Sequence, residues 1–254
     1  MRFYQFITAA CLSTCALGVL AQSDERHDED SEGYALGILV GNDQSLYVGG
    51  DDEIQPFPFI QARWGNFFIG GPGLGYYLYE DNGWSISTSI ALDGIGDTDR
   101  DNSKLLADMP EFDSIVMGQI GISKETNWGE FSLSLASDVS GTHDGTSAEL
   151  EYSFEIPMAG WMIEPSIGLQ WQSEEINQYF YGVEQQYVRP DRAFYKADAG
   201  VNYSAGIMAM YPFMENHAVV LNLEYESYSK EISDSSIVDR DNTFNVGIGY
   251  VYRF

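Results

Sequence analysis

Segments in which apolar residues alternate with polar or small residues recur along the chain from residue 34 to its end. In the last segment every second residue is apolar, at Phe244, Val246, Ile248, Tyr250, Tyr252 and Phe254. A β-strand directs successive side chains to opposite faces, so this segment predicts a strand with one apolar and one mostly polar face. Repeated segments of this kind, each about ten residues long, are typical of transmembrane β-barrels.

Twelve such segments can be counted, at residues 34–41, 55–63, 66–71, 74–81, 83–93, 113–124, 128–139, 146–157, 161–174, 197–211, 217–229 and 242–254. The third and fourth are the least clearly defined, because glycines at positions 70, 71, 73 and 75 would also allow one kinked strand there. Pro56 and Pro58 weaken the start of the second segment as a strand. The pattern therefore predicts an all-β, transmembrane antiparallel β-barrel of about 12 strands, with ten as the alternative.

The connections alternate between short turns and mostly long loops, the longest being residues 94–112 and 175–196. Outer-membrane barrels have short periplasmic turns and long external loops, and an even strand number returns both chain ends to the periplasm. Past residue 21 no apolar run reaches the roughly 20 residues that a membrane helix needs. A soluble sandwich or lipocalin-like barrel is the alternative, but it would turn the apolar face of each strand inward.

The first 21 residues predict a cleaved signal peptide, because Arg2 precedes an apolar stretch that ends at Ala21. Both cysteines, Cys11 and Cys15, lie inside this segment, and a lipoprotein signal at Cys15 is the weaker alternative. Residues 22–33 are rich in acidic residues, and we expect a disordered lead-in there. Residues 34–254 then form the barrel.

The chain is strongly acidic, with 12 basic and 39 acidic residues and a formal net charge of −27. Such a protein repels polyanions at long range, so nucleic acid is excluded as a natural partner. The composition and pattern instead predict contact with outer-membrane lipid and lipopolysaccharide. No cofactor is expected.

Carboxylates recur on the polar face of the predicted strands. The candidates for lumen-facing side chains are Glu149, Glu151, Glu155, Glu224 and Glu226. These side chains could line a pore that prefers cations, or they could pair with basic residues and fill the interior. A barrel of about twelve strands has room for a narrow channel unless loops plug it, and the aromatic residues 179–187 could fold inward as such a plug.

One acidic loop loosely resembles a calcium-binding loop. Asp97, Asp99 and Asp101 alternate along the chain, and Asp108 follows Asp97 by eleven residues. Alternate carboxylates can converge on a hard cation, but Asn102 stands where such loops usually carry glycine. A hydrated acidic loop is therefore the default interpretation, and we expect no dedicated metal site.

Some outer-membrane barrels are enzymes, so a set of serine, histidine and acidic residues could be catalytic. Ser140, His143 and Asp144 lie within five residues of one another in one loop. A nucleophile, its base and the group that orients the base are usually held on different elements. We therefore expect no catalytic residues and a protein that is not an enzyme.

The chain ends on the alternating aromatic residues Tyr250, Tyr252 and Phe254. A terminal phenylalanine after such a pattern resembles the C-terminal signal by which the barrel assembly machinery recognises its clients. These three residues are therefore the predicted assembly signal, and the cell outer membrane of a Gram-negative bacterium is the predicted location.

Short motifs follow one another in a fixed order along the chain. They are residues 34–37 (YALG), 47–52 (YVGGDD), 56–58 (PFP), 66–69 (NFFI), 138–141 (DVSG) with His143 and Gly145, 179–183 (YFYGV) and 236–238 (SIV). This ordered set, which spans essentially the whole chain after the signal peptide, resembles the MipA/OmpV family. Ser235 before Ser236 is a departure, because the family favours a Ser-Pro pair in this loop.

The resemblance implies an outer-membrane barrel and, more loosely, a scaffold for murein-remodelling enzymes. The implied partners are a lytic transglycosylase and a murein synthase, which would bind the periplasmic turns or the N-terminal lead-in. Two other functions stay open from the residues alone. One is a diffusion pore for small cations or solutes, and the other is a surface adhesin that acts through the long loops.

Overall fold

The computed structural model describes residues 33–70, 73–92, 100 and 103–254. The predicted signal peptide (1–21) and nearly all of the acidic lead-in (22–33) lie outside the described residues, as do Asp97, Asp99 and Asp101. None of the helices in the described ranges is long and apolar enough to cross a membrane.

Thirteen strand segments and three short helices make up the described chain. The strands are β1 (Gly33–Asp43), β2 (Glu53–Trp64), β3 (Phe67–Gly70), β4 (Gly73–Asp81), β5 (Trp84–Leu92), β6 (Val116–Thr126), β7 (Gly129–Asp138), β8 (Thr146–Ser153), β9 (Ile156–Met158), β10 (Trp161–Gln172), β11 (Gly200–Met214), β12 (His217–Ser227) and β13 (Asn242–Arg253). The helices are α1 (Glu174–Tyr181), a 3-10 turn (Gln185–Tyr187) and α2 (Lys230–Ser233).

The strands form one closed antiparallel sheet. Consecutive strands pair as neighbours, and β13 returns to pair with β1 over the register from Ala35 opposite Arg253 to Gly41 opposite Gly247. The segments β8 and β9 both pair with β10, so together they make one wall strand. The barrel therefore has twelve wall strands, which confirms the predicted fold class and the larger of the two predicted strand numbers.

The third and fourth predicted segments are separate strands in the structure. The strand β3 pairs with β2 only over residues 61–64, and it pairs with β4 from Phe67 opposite Tyr76 to Gly70 opposite Gly73. On the inner face, a Cβ added to Gly75 would lie 2.2 Å from the ring of Phe68. Glycine at this position therefore lets the two strands pack closely, and the alternative of one kinked strand was wrong.

The predicted strand over residues 146–157 is interrupted at residues 154–155. The register against β10 is the same on both sides of the break, because Ser153 lies opposite Ser166 and Ile156 lies opposite Ile163. Pro165 therefore faces Phe154, and it has no N–H to donate across the pair. Only the Phe154 N–H donates to the Pro165 carbonyl oxygen, at 3.3 Å, and the ladder is broken there.

The half of β2 near the long loops, residues 53–60, pairs with β1 along one edge. Along its other edge the structure describes no partner strand. The N–H of Phe254 donates to the carbonyl oxygen of Tyr34, so even-numbered residues of β1 face β13. Their partners in β2 are also even-numbered, and the backbone N–H and C=O positions of these residues point away from β1. Pro56 and Pro58 are among them. Among the described residues, β3 covers this edge only at residues 61–64. Both prolines therefore lie where no ladder bond to β1 is lost.

Short and long connections lie at opposite ends of the barrel. The short turns are residues 65–66, 82–83, 127–128, 159–160 and 215–216, and both described chain ends lie on the same side as these turns. Residues 44–52, 139–145, 173–199 and 228–241 connect strands at the other end. By the rule for outer-membrane barrels, the short-turn end is the periplasmic end and the long-loop end is the external end.

Candidate functional site

Each wall strand has an inner face and a lipid-facing face, and most predicted carboxylates lie on the inner face. In β12, Ala218 and Val220 pack with residues of β1, β11 and β13 inside the barrel. Glu224 and Glu226 follow Val220 at two-residue steps and share this inner face. Leu221 and Leu223 lie on the opposite, exposed face.

Two more of the predicted carboxylates lie on the inner face of β8. Glu151 is 9% exposed, and Glu149 shares its face, whereas Leu150 between them is 48% exposed. Along one row of the sheet, Gly168 of β10 and Ser204 of β11 separate Glu151 from Glu226. Gly168 and Ser204 are small and fill little of the lumen. The carboxylates on either side of them make the middle of the lumen polar and acidic.

The last predicted carboxylate, Glu155, lies at the break between β8 and β9. If the unchanged register is carried across the break, Glu155 faces Glu164 of β10. Glu130 of β7 and Glu164 also lie on the inner face but were not among the predicted candidates. The alternation in both strands was the signal that could have found them.

The external end of the lumen is closed by residues from the long loops, which we call the external cap. Its buried apolar residues are Leu46, Tyr47, Leu106, Met109, Ile115, Met117, Ile176, Phe180, Tyr181, Val183, Ile232, Ile237 and Val238. The amphipathic helix α1 contributes the centre, because Phe180 and Tyr181 are fully buried. The cap packs against Ala136 on the inner face of β7. It therefore extends into the lumen, as expected for a plug formed by residues 179–187.

Hydrogen bonds tie the separate loops of the external cap together. The hydroxyl of Tyr47 donates to the carbonyl oxygen of Phe180 at 3.0 Å, and Ser235 Oγ donates to the carbonyl oxygen of Tyr181 at 2.6 Å. The Ser235 hydroxyl therefore joins the loop between β12 and β13 to helix α1.

Asp108, one of the weak metal candidates, bridges two arginines in the external cap. Its Oδ2 lies 2.7 Å from Arg189 and 2.6 Å from Arg192. The hydrogen bond from the Arg192 guanidinium holds the pKa of the Asp108 carboxyl below its usual value. Among the residues that the structure describes, no group of three or more His, Cys, Asp or Glu side chains could hold a metal ion.

The loop with Ser140, His143 and Asp144 is organised around Asp138, at the end of β7. The carboxylate of Asp138 accepts hydrogen bonds from the backbone N–H groups of Ser140, His143 and Asp144, at 2.8 to 3.0 Å. It also accepts the hydroxyl proton of Ser140 at 2.6 Å. The hydroxyl of Ser140 donates to Asp138, and Nδ1 of His143 accepts from the N–H of Gly145. These hydrogen bonds stabilise the loop between β7 and β8.

The periplasmic end of the lumen contains a second apolar group, which we call the periplasmic cluster. Its buried residues are Ala35, Met210, Ala218, Val220 and Val251, with Phe59, Met162 and Met208 packed against them. All of these side chains come from wall strands, and none comes from a loop. Buried apolar side chains therefore lie at both ends of the lumen, and the carboxylates of β8 and β12 lie between them.

The predicted assembly signal lies at the periplasmic rim. The rings of Tyr252 and Phe254 are 4.9 Å apart and edge-on, and Phe254 is 69% exposed. The hydroxyl of Tyr250 lies 2.5 Å from Nδ1 of His217 on the lipid-facing side. Recognition of these residues by the assembly machinery stays a prediction.

The closed antiparallel barrel, with its apolar outer face and its two unequal ends, defines the protein as an outer-membrane β-barrel. The family model "MltA-interacting protein MipA" matches residues 36–254. The chain belongs to this family, which confirms the predicted resemblance and the predicted location in the outer membrane.

Curated relatives align with most of this chain. The chain is 26% identical over 245 residues to the MltA-interacting protein of Escherichia coli K12, covering 96% of this chain and 99% of the relative. It is 24% identical over 185 residues to outer membrane protein OmpV of Vibrio cholerae, covering 72% and 71% of the two chains. The outer membrane channel DcaP of Acinetobacter baumannii aligns over 88% of this chain and 96% of its own, with 8% identity and a TM-score of 0.41.

Proposed function

We propose that this protein is a non-enzymatic scaffold that holds murein-remodelling enzymes at the inner face of the outer membrane. The name of the Escherichia coli relative, MltA-interacting protein, supports a murein enzyme as the partner. The observation that carries the proposal is the buried apolar cluster with which the loops close the external end of the lumen. A barrel closed at that end is better suited to present its turns to the periplasm than to conduct solutes.

The periplasmic turns carry exposed side chains that a partner could contact. Trp128 in the turn between β6 and β7 is 75% exposed, and Met214 beside the turn between β11 and β12 is 63% exposed. Exposed aromatic residues and methionines are enriched in protein interfaces relative to the remaining surface. These two positions are therefore the first to test for binding.

The test is a pull-down with the refolded mature protein from periplasmic and membrane extracts of its own species. Lytic transglycosylases and murein synthases in the recovered fraction are quantified against an unrelated barrel. We expect enrichment by the wild-type protein and a loss of at least fivefold in a Trp128→Ser, Met214→Ser variant. Phe194→Ser is the matched control, because Phe194 is 49% exposed but lies in a loop at the external end.

Two outcomes would contradict the scaffold. One is recovery of murein enzymes by the wild-type protein no higher than by the unrelated barrel. The other is a loss of recovery in the Phe194→Ser control with no loss in the variant of the periplasmic end. In either case the proposal that partners bind the periplasmic turns is wrong.

A cation-selective pore is the second candidate, because Glu149, Glu151, Glu224 and Glu226 share the inner face. Bilayer recordings of the wild type and of a Glu224→Gln, Glu226→Gln variant test this function. A pore would show cation preference that falls in the variant, whereas absence of conductance in both proteins would exclude it.

A further inference from the structure

Three methionines lie together on the inner face near the periplasmic end of the lumen. Met162 of β10 lies directly opposite Met210 of β11, and Met208 is two residues from Met210 on the same face. Directly opposed residues of an antiparallel pair have Cβ atoms about 4.5–5.5 Å apart. The three thioether side chains are therefore close neighbours, and all of them line one small cavity.

Two carboxylates line the same cavity. Glu164 lies directly opposite Met208, and Glu155 also lines the cavity. Glu164 is only 7% exposed, and its Oε2 is buried with no hydrogen-bond partner. Among the described residues, Glu164 forms no ion pair. A buried carboxylate oxygen without a donor is costly, and a positively charged ligand would satisfy it.

Core packing alone explains the methionines but not the carboxylate. Methionine is a common gap-filler in apolar cores, and these three side chains do pack against the periplasmic cluster. An apolar core would not place Glu164 opposite Met208 with an oxygen that lacks a donor. Nη2 of Arg253 donates a hydrogen bond to Sδ of Met210 at 3.4 Å, so an ion bound at this sulfur would have to displace the guanidinium.

We propose that Met162, Met208, Met210 and Glu164 bind a soft monovalent cation, Cu⁺ or Ag⁺. Thioether ligands favour soft metal ions, and the carboxylate neutralises the charge of the ion. Hard divalent ions prefer several oxygen ligands, which these side chains do not supply. Met162 lies two residues after the turn at residues 159–160, so the site lies near the periplasmic end of the barrel.

The test uses Ag⁺ as silver nitrate, in chloride-free buffer, with the refolded mature protein in detergent. The sequence has seven methionines after residue 21, at positions 109, 117, 158, 162, 208, 210 and 214. With ¹³C-labelled methionine methyl groups, we expect Ag⁺ to shift the resonances of Met162, Met208 and Met210 and to leave those of the other methionines in place. Calorimetry should give one ion per barrel.

Variants with nearly equal volume separate the site from silver binding by any methionine. A Met208→Leu, Met210→Leu variant should weaken Ag⁺ binding at least tenfold, and Glu164→Gln should weaken it at least threefold. The matched control is Met158→Leu, Met214→Leu, because these residues are 56% and 63% exposed on the rim, and its affinity should not change. Heat-modifiable electrophoresis checks that each barrel is folded, and Met162→Leu replaces the double variant if that variant does not fold.

Two results would overturn the proposal. The first is the absence of any Ag⁺-dependent shift at Met162, Met208 and Met210 in the folded wild-type barrel. The second is equal weakening of binding in the rim control and in the interior variant. Neither result depends on recovery of a murein enzyme. The proposal of a metal site and the proposal of a scaffold are therefore tested independently.

Discussion

Buried apolar side chains lie at both ends of the lumen, but they come from different parts of the chain. The external cap is assembled mainly from several loops and two short helices that are distant in sequence. The periplasmic cluster is made from wall strands that the barrel already holds in register. We therefore expect that the external cap can open while the wall stays folded, whereas the periplasmic cluster comes apart only with the wall.

Phe180→Ala should open the external cap without unfolding the barrel. Phe180 is fully buried, and loss of a buried phenylalanine side chain costs about 3–5 kcal/mol. We expect trypsin to cleave after Arg192, which is 4% exposed in the intact cap, while heat-modifiable migration persists. Phe194→Ala in the same loop is the control and should stay resistant. Loss of heat-modifiable migration in Phe180→Ala would show that the cap and wall are one unit.

Val220→Ala should weaken the wall and leave the external cap closed. Val220 is 7% exposed in the periplasmic cluster, and removal of two methylene-sized groups costs about 1–2 kcal/mol. Guanidinium unfolding in liposomes, followed by tryptophan fluorescence, should show the lower stability. Trypsin cleavage after Arg192 in the folded variant would contradict the independence of the two ends.

Acidification should loosen the external cap through Asp108. Because the folded-state pKa of Asp108 is depressed, its ion pairs stabilise the cap at a pH above the unfolded pKa of about 3.9. This stabilisation is lost as the pH falls through the folded-state value. We expect hydrogen exchange in residues 103–115, corrected for the intrinsic rate, to rise between pH 5 and pH 2. Asp108→Asn should exchange faster at pH 5 and lose most of this pH dependence. An unchanged profile in Asp108→Asn would assign the effect to another group.

Ala159→Gly should slightly stabilise the periplasmic end. Ala159 has a φ of 53°, in the left-handed region where a Cβ is unfavourable. Glycine removes this strain, although it also gains freedom in the unfolded chain, so we expect a gain of about 1 kcal/mol or less. Asn82→Gly is the comparison, because Asn82 has a similar φ of 52° but asparagine tolerates this region. A larger gain at Asn82 than at Ala159 in guanidinium unfolding would refute this explanation.

Most of the wall could be predicted from the sequence, because lipid on one side and a polar lumen on the other impose a two-residue period on every strand. Most predicted strand ends lie within three residues of the observed ones. The break in front of β9 was missed, because its cause is Pro165 on the neighbouring strand. Only the register shows which residue a proline faces, and register depends on the whole barrel.

The site was predicted less completely than the wall. Glu149 and Glu224 were identified as lumen-facing candidates from alternation within single strands. The group formed by Met162, Met208 and Glu164 combines two strands, so no single segment of sequence reveals it. The external cap was foreseen only as a plug from residues 179–187, because contacts such as Tyr47 with Phe180 join loops more than a hundred residues apart.

The edge of β2 for which the structure describes no partner strand is poorly suited to pair with a strand of another protein. An edge strand normally offers a row of backbone donors and acceptors on which another chain can build a further strand. At the described edge, Ile54, Pro56, Pro58 and Ile60 face outward, and the two prolines offer no donor. A foreign strand would leave its own acceptors unpaired in a medium without water, at a cost of several kcal/mol. Pro56 and Pro58 therefore disfavour the pairing of another strand along this part of β2.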